Sequence, residues 1–213
     1  MRLHLTRGVA LGTAVIAAGA IAGVALAGEN APPNLSTPSS GGKATSVPSE
    51  LSSAFAILRR ARQSSDTLST AAAAGVETAG GVSEHYGINA SLARFAGSAD
   101  GTAIWLVPGS TGSCVATDTA GGTCGSNDLV SQRGALLALV PTSGGPATVY
   151  GIVPDNASVT ATDAAGTQSS IPLSGNAFSV SGASAVSFTI HTASGDITHT
   201  LPSGRPAPTP PAG

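Results

Sequence analysis

Hydrophobic residues in the first half of the chain recur at helical spacing. This spacing predicts an amphipathic helix over residues 49–66, with Ser49 as its N-cap. Glycine breaks predict a loop over residues 67–87, and residues 88–97 fit a short helix capped by Asn89. The apolar stripe of the first helix comprises Leu51, Ala54, Phe55, Leu58 and Ala61.

From residue 101 onward the spacing becomes that of strands. The segment ALLALVP is almost continuously apolar, which predicts a strand buried on both faces. A short helix capped by Ser126 is expected just before it, in SNDLVSQRG. The strands predicted in this part of the chain cover residues 102–108, 113–118, 135–141 and 147–154.

Residues 155–202 alternate between apolar and polar positions, with turn residues about every ten positions, which is typical of short antiparallel strands. We therefore expect an α+β fold. A small helix-covered antiparallel sheet forms a domain over residues 49–141, and a β-rich, sandwich-like or meander domain follows over residues 142–202. Disordered tails are expected on both sides, namely a Pro/Ser/Gly linker at residues 28–48 and a Pro-rich tail at residues 203–213.

The N-terminal 27 residues have the features of a secretory signal peptide. Arg2 and Arg7 precede an uncharged apolar run over residues 9–27, which ends in Ala25-Leu26-Ala27 before Gly28. An uncleaved membrane anchor formed by the same run is the alternative. Either outcome predicts a secreted or extracytoplasmic protein.

Charge is scarce in this sequence. Only 9% of the residues are charged and the net charge is −2, so Ser and Thr supply much of the polarity. Electrostatic capture of nucleic acid is therefore not expected.

Cys114 and Cys124 are the chain's two cysteines. In an oxidising compartment they have one possible pairing, and we expect a structural disulfide. Two cysteines without a nearby histidine supply only half of a zinc ligand set, and the spacing lacks the redox pattern of two intervening residues.

Three further groups of residues carry candidate chemistry. Glu84 and His85 are adjacent and could form an acid–base pair, although neighbours in a loop need not face one another. A cluster of Arg59, Arg60 and Arg62 could grip a phosphate, or it could simply complement the dipole at a helix end.

The two histidines near the C-terminus are weak metal candidates. A hairpin whose tip lies near Ser194 and Gly195 would place His191 opposite His199, and Asp196 could join them as a ligand. A slip of one residue would put the two rings on opposite faces, and most hairpin histidines are half-exposed polar positions. No other metal site and no cofactor is indicated.

The order of the motifs FAILRR, WLVPG, the two cysteines, VYGIVPD and SVTATDAAGT resembles a group of uncharacterised exported proteins from soil actinobacteria, over roughly residues 50–190. The resemblance implies a secreted or cell-envelope location and bridged cysteines, and no particular activity.

We expect a non-enzymatic module that binds an envelope component or another protein. The alternatives are an exported hydrolase with its site near Glu84 and His85, and a secreted inhibitor that presents the Cys114–Cys124 loop.

Overall fold

A computed structural model describes residues 42–78, 81–119, 121–141 and 145–201. Within these ranges the protein is mainly β, with short helices concentrated in the first half. The predicted signal peptide, most of the predicted linker and the Pro-rich tail lie outside the described residues. In the part of the chain that is described, no helix is both long and apolar enough to cross a membrane.

The helices are α1 (Ser49–Ala54), α2 (Thr70–Thr78), α3 (Gly81–His85) and α4 (Asn127–Arg133). Single turns of 3-10 helix cover Ala56–Leu58, Ser64–Asp66 and Ala90–Leu92. The strands are β1 (Arg94–Ala99), β2 (Thr102–Pro108), β3 (Gly112–Thr117), β4 (Gly122–Ser126), β5 (Ala135–Leu139), β6 (Thr148–Ile152), β7 (Ser158–Thr162), β8 (Gln168–Ile171), β9 (Ala177–Ser181), β10 (Ser187–Thr192) and β11 (Gly195–Thr200).

The strands form three sheets with antiparallel pairing throughout. The N-terminal sheet has the order β1-β2-β3-β4, the middle sheet β5-β6-β9, and the C-terminal sheet β11-β10-β7-β8. The strands predicted from the sequence are confirmed, because each coincides with one of these within a few residues. Strand β4 was not predicted, since its sequence GTCGS contains two glycines, and glycine is depleted in strands.

Two hydrophobic cores place the middle sheet between the other two sheets. On one face, Leu137 and Ile152 pack against Ile104 and Leu106 of the N-terminal sheet. On the opposite face, the middle-sheet residues Val149, Phe178 and Val180 join the C-terminal-sheet residues Val159, Phe188 and Ile190. The expectation that β5 is buried on both faces is therefore correct, since Leu137 and its neighbour Ala138 belong to different cores.

A third core lies on the other face of the N-terminal sheet, beneath α2. Ala72 and Val76 of α2 pack there with Trp105, Val107 and Cys114. The indole N–H of Trp105 donates to the carbonyl oxygen of Ser65 at 2.9 Å, so Trp105 is a core residue whose polar atom has a loop partner. The layers therefore run from α2 through the N-terminal and middle sheets to the C-terminal sheet.

The predicted division between residues 141 and 142 falls between β5 and β6. These strands pair along their lengths, from Ala135 opposite Ile152 to Leu139 opposite Thr148. The two predicted sections therefore share the middle sheet.

The predicted continuous helix over residues 49–66 is wrong, although its apolar stripe is largely buried. Helix α1 ends at Ala54 and Phe55 is extended. The helix is interrupted because Asp155, which is distant in sequence, binds backbone groups that a continuous helix would use. Its carboxylate accepts from the Ala56 N–H at 2.7 Å, and its N–H donates to the Ala54 carbonyl at 2.8 Å. The N-cap position is held by Pro48 rather than by Ser49.

The predicted loop over residues 67–87 is also wrong, because α2 and α3 occupy most of it. Gly75 does not break α2. A Cβ atom at this position would lie 2.7 Å from the carbonyl carbon of Gly121, so the glycine lets the helix approach the β3–β4 turn closely.

The predicted helix over residues 88–97 is only one 3-10 turn. Asn89 caps it as expected, since its Oδ1 accepts from the Ser91 N–H at 3.0 Å. Phe95 and Ala96, which were expected in that helix, lie in β1, where pairing with β2 provides more hydrogen bonds than the short helix would. The predicted cap of α4 is confirmed by the contact from the Leu129 N–H to the Ser126 hydroxyl.

The end of the predicted linker is ordered. Ala44 is buried, its N–H donates to the Gly87 carbonyl at 2.9 Å, and its carbonyl accepts from the Asn89 side chain at 2.7 Å. Disorder was predicted up to residue 48 from a polar composition, which does not reveal that one small residue anchors the segment.

Candidate functional site

The outer face of the C-terminal sheet is covered by hydroxyl side chains. One row crosses the four strands, because Ser170 lies opposite Thr160, Thr160 opposite Thr189, and Thr189 opposite Thr198. Strands lie about 4.8 Å apart and outward residues of one strand are about 7 Å apart, so these positions form a regular grid. We call this surface the hydroxyl face; it comprises Ser158, Thr160, Thr162, Gln168, Ser170, Ser187, Thr189, His191, Asp196, Thr198 and Thr200.

Strict alternation in the sequence creates the hydroxyl face. In SVTAT of β7, Val159 and Ala161 point into the core while Thr160 lies between them on the other side. The β-branched threonine side chain suits a strand, and its hydroxyl can both donate and accept a hydrogen bond. Thr189 and Thr198 already share such a bond across β10 and β11, with 2.9 Å between their Oγ1 atoms.

Three side chains on this face form a hydrogen-bonded chain across β7, β10 and β11. His191 Nδ1 lies 2.9 Å from Asp196 Oδ1, and His191 Nε2 lies 3.0 Å from Thr160 Oγ1. The His191 side chain is 36% exposed, so solvent or a ligand can reach this group. A hydroxyl, an imidazole and a carboxylate are therefore connected in that order on an accessible surface.

The expected pairing of His191 with His199 is wrong. The hairpin turns between Thr192 and Gly195, which pairs His191 with Asp196 and His199 with Phe188. The predicted partner of His191 lies three residues beyond the observed one, and because this register error is an odd number His199 falls on the core side of the sheet. There its ring stacks on Phe188 with 5.1 Å between centroids, and burial lowers the pKa of His199 below its ordinary value.

Glu84 and His85 lie on the short helix α3, and no hydrogen bond joins their side chains. Glu84 is exposed, whereas the ring of His85 lies 5.0 Å from that of Tyr86. In the part of the chain that the structure describes, no hydroxyl or carboxylate is bonded to His85. This pair therefore has less of the geometry that acid–base chemistry requires than the group around His191.

The disulfide between Cys114 and Cys124 is present and confirms the predicted bridge. The two residues lie directly opposite each other on β3 and β4. Cys114 and Ala116 are fully buried in the core beneath α2, and Val115 is fully buried in the core on the other face of the sheet. The bridge thus fastens the edge strand β4 to β3, and in the loop that it closes Thr119 is exposed.

Two of the three arginines near the end of the predicted helix are engaged by carboxylates. Arg59 lies 3.7 Å from Asp155, and Arg60 binds Asp66 through both of its terminal nitrogens at 2.6 and 2.7 Å. Of the three, only Arg62, which is exposed, has no carboxylate partner among the described residues, and this one arginine provides little positive potential for a phosphate.

Asp66 is a fully buried carboxylate that joins several elements. Besides Arg60, it accepts from the N–H groups of Gln63 at 2.7 Å and Phe95 at 2.8 Å, and Arg94 lies 4.0 Å away. Burial opposes ionisation, but these hydrogen bonds outweigh it and lower the pKa of Asp66 to about 2. The same contact raises the pKa of Arg60. This group stabilises the fold and is closed to a ligand.

An open depression of about 420 Å³ lies beside Asp155 and Asn176. Two of its polar side chains are already paired, because Asn176 donates to the carbonyl of Val153 at 2.9 Å and to Asp155 at 3.1 Å. Among the described residues, no group of three or more His, Cys, Asp or Glu side chains is arranged to hold a metal ion. The hydroxyl face, which carries a connected hydroxyl, imidazole and carboxylate, is therefore the candidate functional site.

Comparison with known proteins yields no match: no family model, no curated protein and no solved structure is similar to the chain. The resemblance to exported actinobacterial proteins stays a prediction. What the hydroxyl face can do follows from its own side chains.

The group of Thr160, His191 and Asp196 was not predicted from the sequence, although two patterns indicate it. The threonines of SVTAT and ITHT both recur at every second position, which places them on one face of a strand. A two-residue turn at Ala193-Ser194 would also have given the correct register, with His191 opposite Asp196.

Proposed function

We propose that this protein is an extracytoplasmic binding module whose hydroxyl face holds a neutral, hydroxyl-rich polymer of the cell envelope, such as a polysaccharide. The observation that carries the proposal is the row formed by Ser170, Thr160, Thr189 and Thr198. Each hydroxyl can donate and accept, so a polymer with repeated hydroxyls can bond to several points of the grid at once. Many weak contacts on one rigid face then add to a useful affinity.

The charge of the surface favours a neutral ligand. The hydroxyl face contains no Lys or Arg, and its acidic residue Asp196 is paired with His191. Neither a polyanion nor a polycation would gain much electrostatic attraction there. Ordered water can complete the contacts between hydroxyls that are not in direct register.

An extracytoplasmic location agrees with the disulfide, which is consistent with an oxidising environment. The signal-like residues 1–27 and the resemblance to exported proteins support the same location. The intact mass of the protein recovered from the producing cells tests it: the proposal requires loss of the leader, or membrane attachment through it, together with two missing thiol hydrogens.

Co-sedimentation with a panel of insoluble neutral polysaccharides and with purified cell walls tests the binding. The informative variant replaces the three threonines of the row by valine (Thr160→Val, Thr189→Val, Thr198→Val). Valine keeps the shape and the β propensity of threonine but removes its hydroxyl. We expect at least one polymer to retain the wild type and to release this variant.

A matched variant carries the same change at three exposed threonines elsewhere, Thr45, Thr67 and Thr119. It should bind as the wild type does. Equal retention of the row variant and the wild type, or retention of neither by any polymer, contradicts the proposal.

A further inference from the structure

We propose that Thr160 is an activated nucleophile, and that it forms with His191 and Asp196 an acyl-transfer site on the hydroxyl face. The three side chains come from the neighbouring strands β7, β10 and β11. The Thr160 hydroxyl lies 3.0 Å from His191 Nε2, and Asp196 lies 2.9 Å from His191 Nδ1. A nucleophile bonded to a base that a third group orients is the general arrangement for covalent catalysis.

The hydrogen bonds fix the role of each atom in the neutral imidazole. Asp196 has only acceptor oxygens when ionised, so His191 Nδ1 carries the proton and donates it. Nε2 is then an acceptor, and the Thr160 hydroxyl must donate to it. This is the tautomer in which the imidazole can take the hydroxyl proton.

The position of His191 favours Thr160 over the residue that faces it directly. Ser158 is the direct neighbour of His191 on β7, whereas Thr160 lies diagonally and is the direct neighbour of Thr189. The His191 ring nevertheless bonds to Thr160, because a long side chain can span the distance to a diagonal neighbour in a sheet. Backbone pairing holds all three strands, so the group is placed by rigid elements.

The site suits an ester whose acyl group is small and accessible, such as an O-acyl group on a hydroxyl-rich polymer. Thr160 Oγ1 attacks the carbonyl carbon while its proton passes to His191 Nε2. The bond from that carbon to the leaving oxygen breaks, and the leaving alcohol takes the proton from His191. Water then hydrolyses the Thr160 ester by the same steps, which releases the acid and restores the hydroxyl. Ser170, directly opposite Thr160, presents a further hydroxyl that can donate to the developing oxyanion.

The experiment uses p-nitrophenyl acetate as the probe, with the full chain and its disulfide intact. Release of p-nitrophenolate gives the rate, and mass spectrometry of the trapped protein locates the acetyl group. We expect acetylation at Thr160 above that at Thr162, the next outward residue of β7. The variants Thr160→Ala and His191→Gln should lower the protein-dependent rate about 100-fold, as expected for loss of nucleophile or general base.

Two conservative changes separate chemistry from folding. Thr160→Ser keeps the hydroxyl and should retain the reaction, whereas Thr119→Ala removes an exposed hydroxyl elsewhere and should have no effect. Asp196→Asn tests the positioning residue: the rate should fall and its pH profile should change, while the circular dichroism spectrum does not. An acetyl group distributed equally over Thr160 and Thr162, or a Thr160→Ala rate equal to that of the wild type, overturns the proposal.

Discussion

The buried carboxylate of Asp66 accepts a hydrogen bond from the backbone N–H of Phe95 at 2.8 Å, and so ties the turn before α2 to strand β1. The change Asp66→Asn keeps the size of the side chain but removes its charge and leaves Arg60 without its partner. We expect the free energy of unfolding to fall by about 3 kcal/mol, as when one member of a buried ion pair is removed. Urea denaturation measures the loss. The exposed turn residue Asp100 offers the control Asp100→Asn, which should change stability by less than about 0.5 kcal/mol.

The low pKa of Asp66 also predicts how stability depends on acid. The pKa falls from 3.8 to about 2 on folding, so the unfolded chain binds this proton more readily. The contribution of Asp66 is complete above pH 3.8 and is lost as the pH falls towards 2. We expect a loss of about 2 kcal/mol over this interval. The difference between wild-type and Asp66→Asn unfolding free energies, followed from pH 5 to pH 2, isolates it; a constant difference would contradict the prediction.

The buried imidazole of His199 should cause a second pH dependence of stability, at higher pH than that of Asp66. Its pKa is lowered by burial against Phe188, so the folded protein holds the His199 proton less tightly than the unfolded chain does. Its contribution to stability is complete above the ordinary pKa of 6.5 and decreases as the pH falls through it. The change His199→Phe should remove this part of the pH dependence. Thermal unfolding of both proteins between pH 8 and pH 5 tests it, and parallel curves would refute it.

Gly75 tests whether packing or helix propensity dominates in α2. Alanine is the better helix former by about 1 kcal/mol. At this position, however, its Cβ would meet backbone atoms of Gly121 at under 3 Å, and backbone cannot move aside cheaply. We expect Gly75→Ala to destabilise the protein by about 1–3 kcal/mol. The control is Gly81→Ala in α3, where a Cβ meets nothing within 4 Å, and this change should not destabilise the protein.

The disulfide should both stabilise the folded protein and resist reduction. The chain-entropy model gives about 3 kcal/mol for the short loop that Cys114 and Cys124 close. Removal of both sulfurs by Cys114→Ala and Cys124→Ala should lower the free energy of unfolding by an amount of this order. Because Cys114 is fully buried, a mild reductant should leave the native bridge largely intact. Alkylation of both thiols without denaturant would contradict this expectation.

Local patterns were sufficient for most strands and for two caps. Ser126 and Asn89 cap their helices as expected, because a cap depends on side chains within three residues of it. The interruption after Ala54 could not be foreseen, since its cause, Asp155, lies about a hundred residues further along the chain. Gly75 was misinterpreted for the same reason: its partner is Gly121 in another element.

The hydrogen-bonded group around His191 was not predicted, because the predicted register of one hairpin was wrong. The sequence identified His191 and Asp196 as candidate ligands, but an error of three residues in the register paired His191 with His199 instead of Asp196. Thr160 lies on a third strand, and its distance from His191 depends on how β7 and β10 pair. Pairing of strands distant in sequence follows from the packed core, and short-range patterns do not encode it.

The shared middle sheet has a consequence for how the chain folds. Strand β9 completes that sheet and lies beside β1, more than seventy residues earlier, where the Asn176 N–H donates to the carbonyl of Ala96. Strands β1 to β6 can meet before β9 has joined them, but their exposed edge and apolar surface then wait for the last third of the polypeptide. Folding should therefore finish late and slowly, as in proteins dominated by distant contacts, and a chain shortened before residue 181 should aggregate rather than yield a stable half.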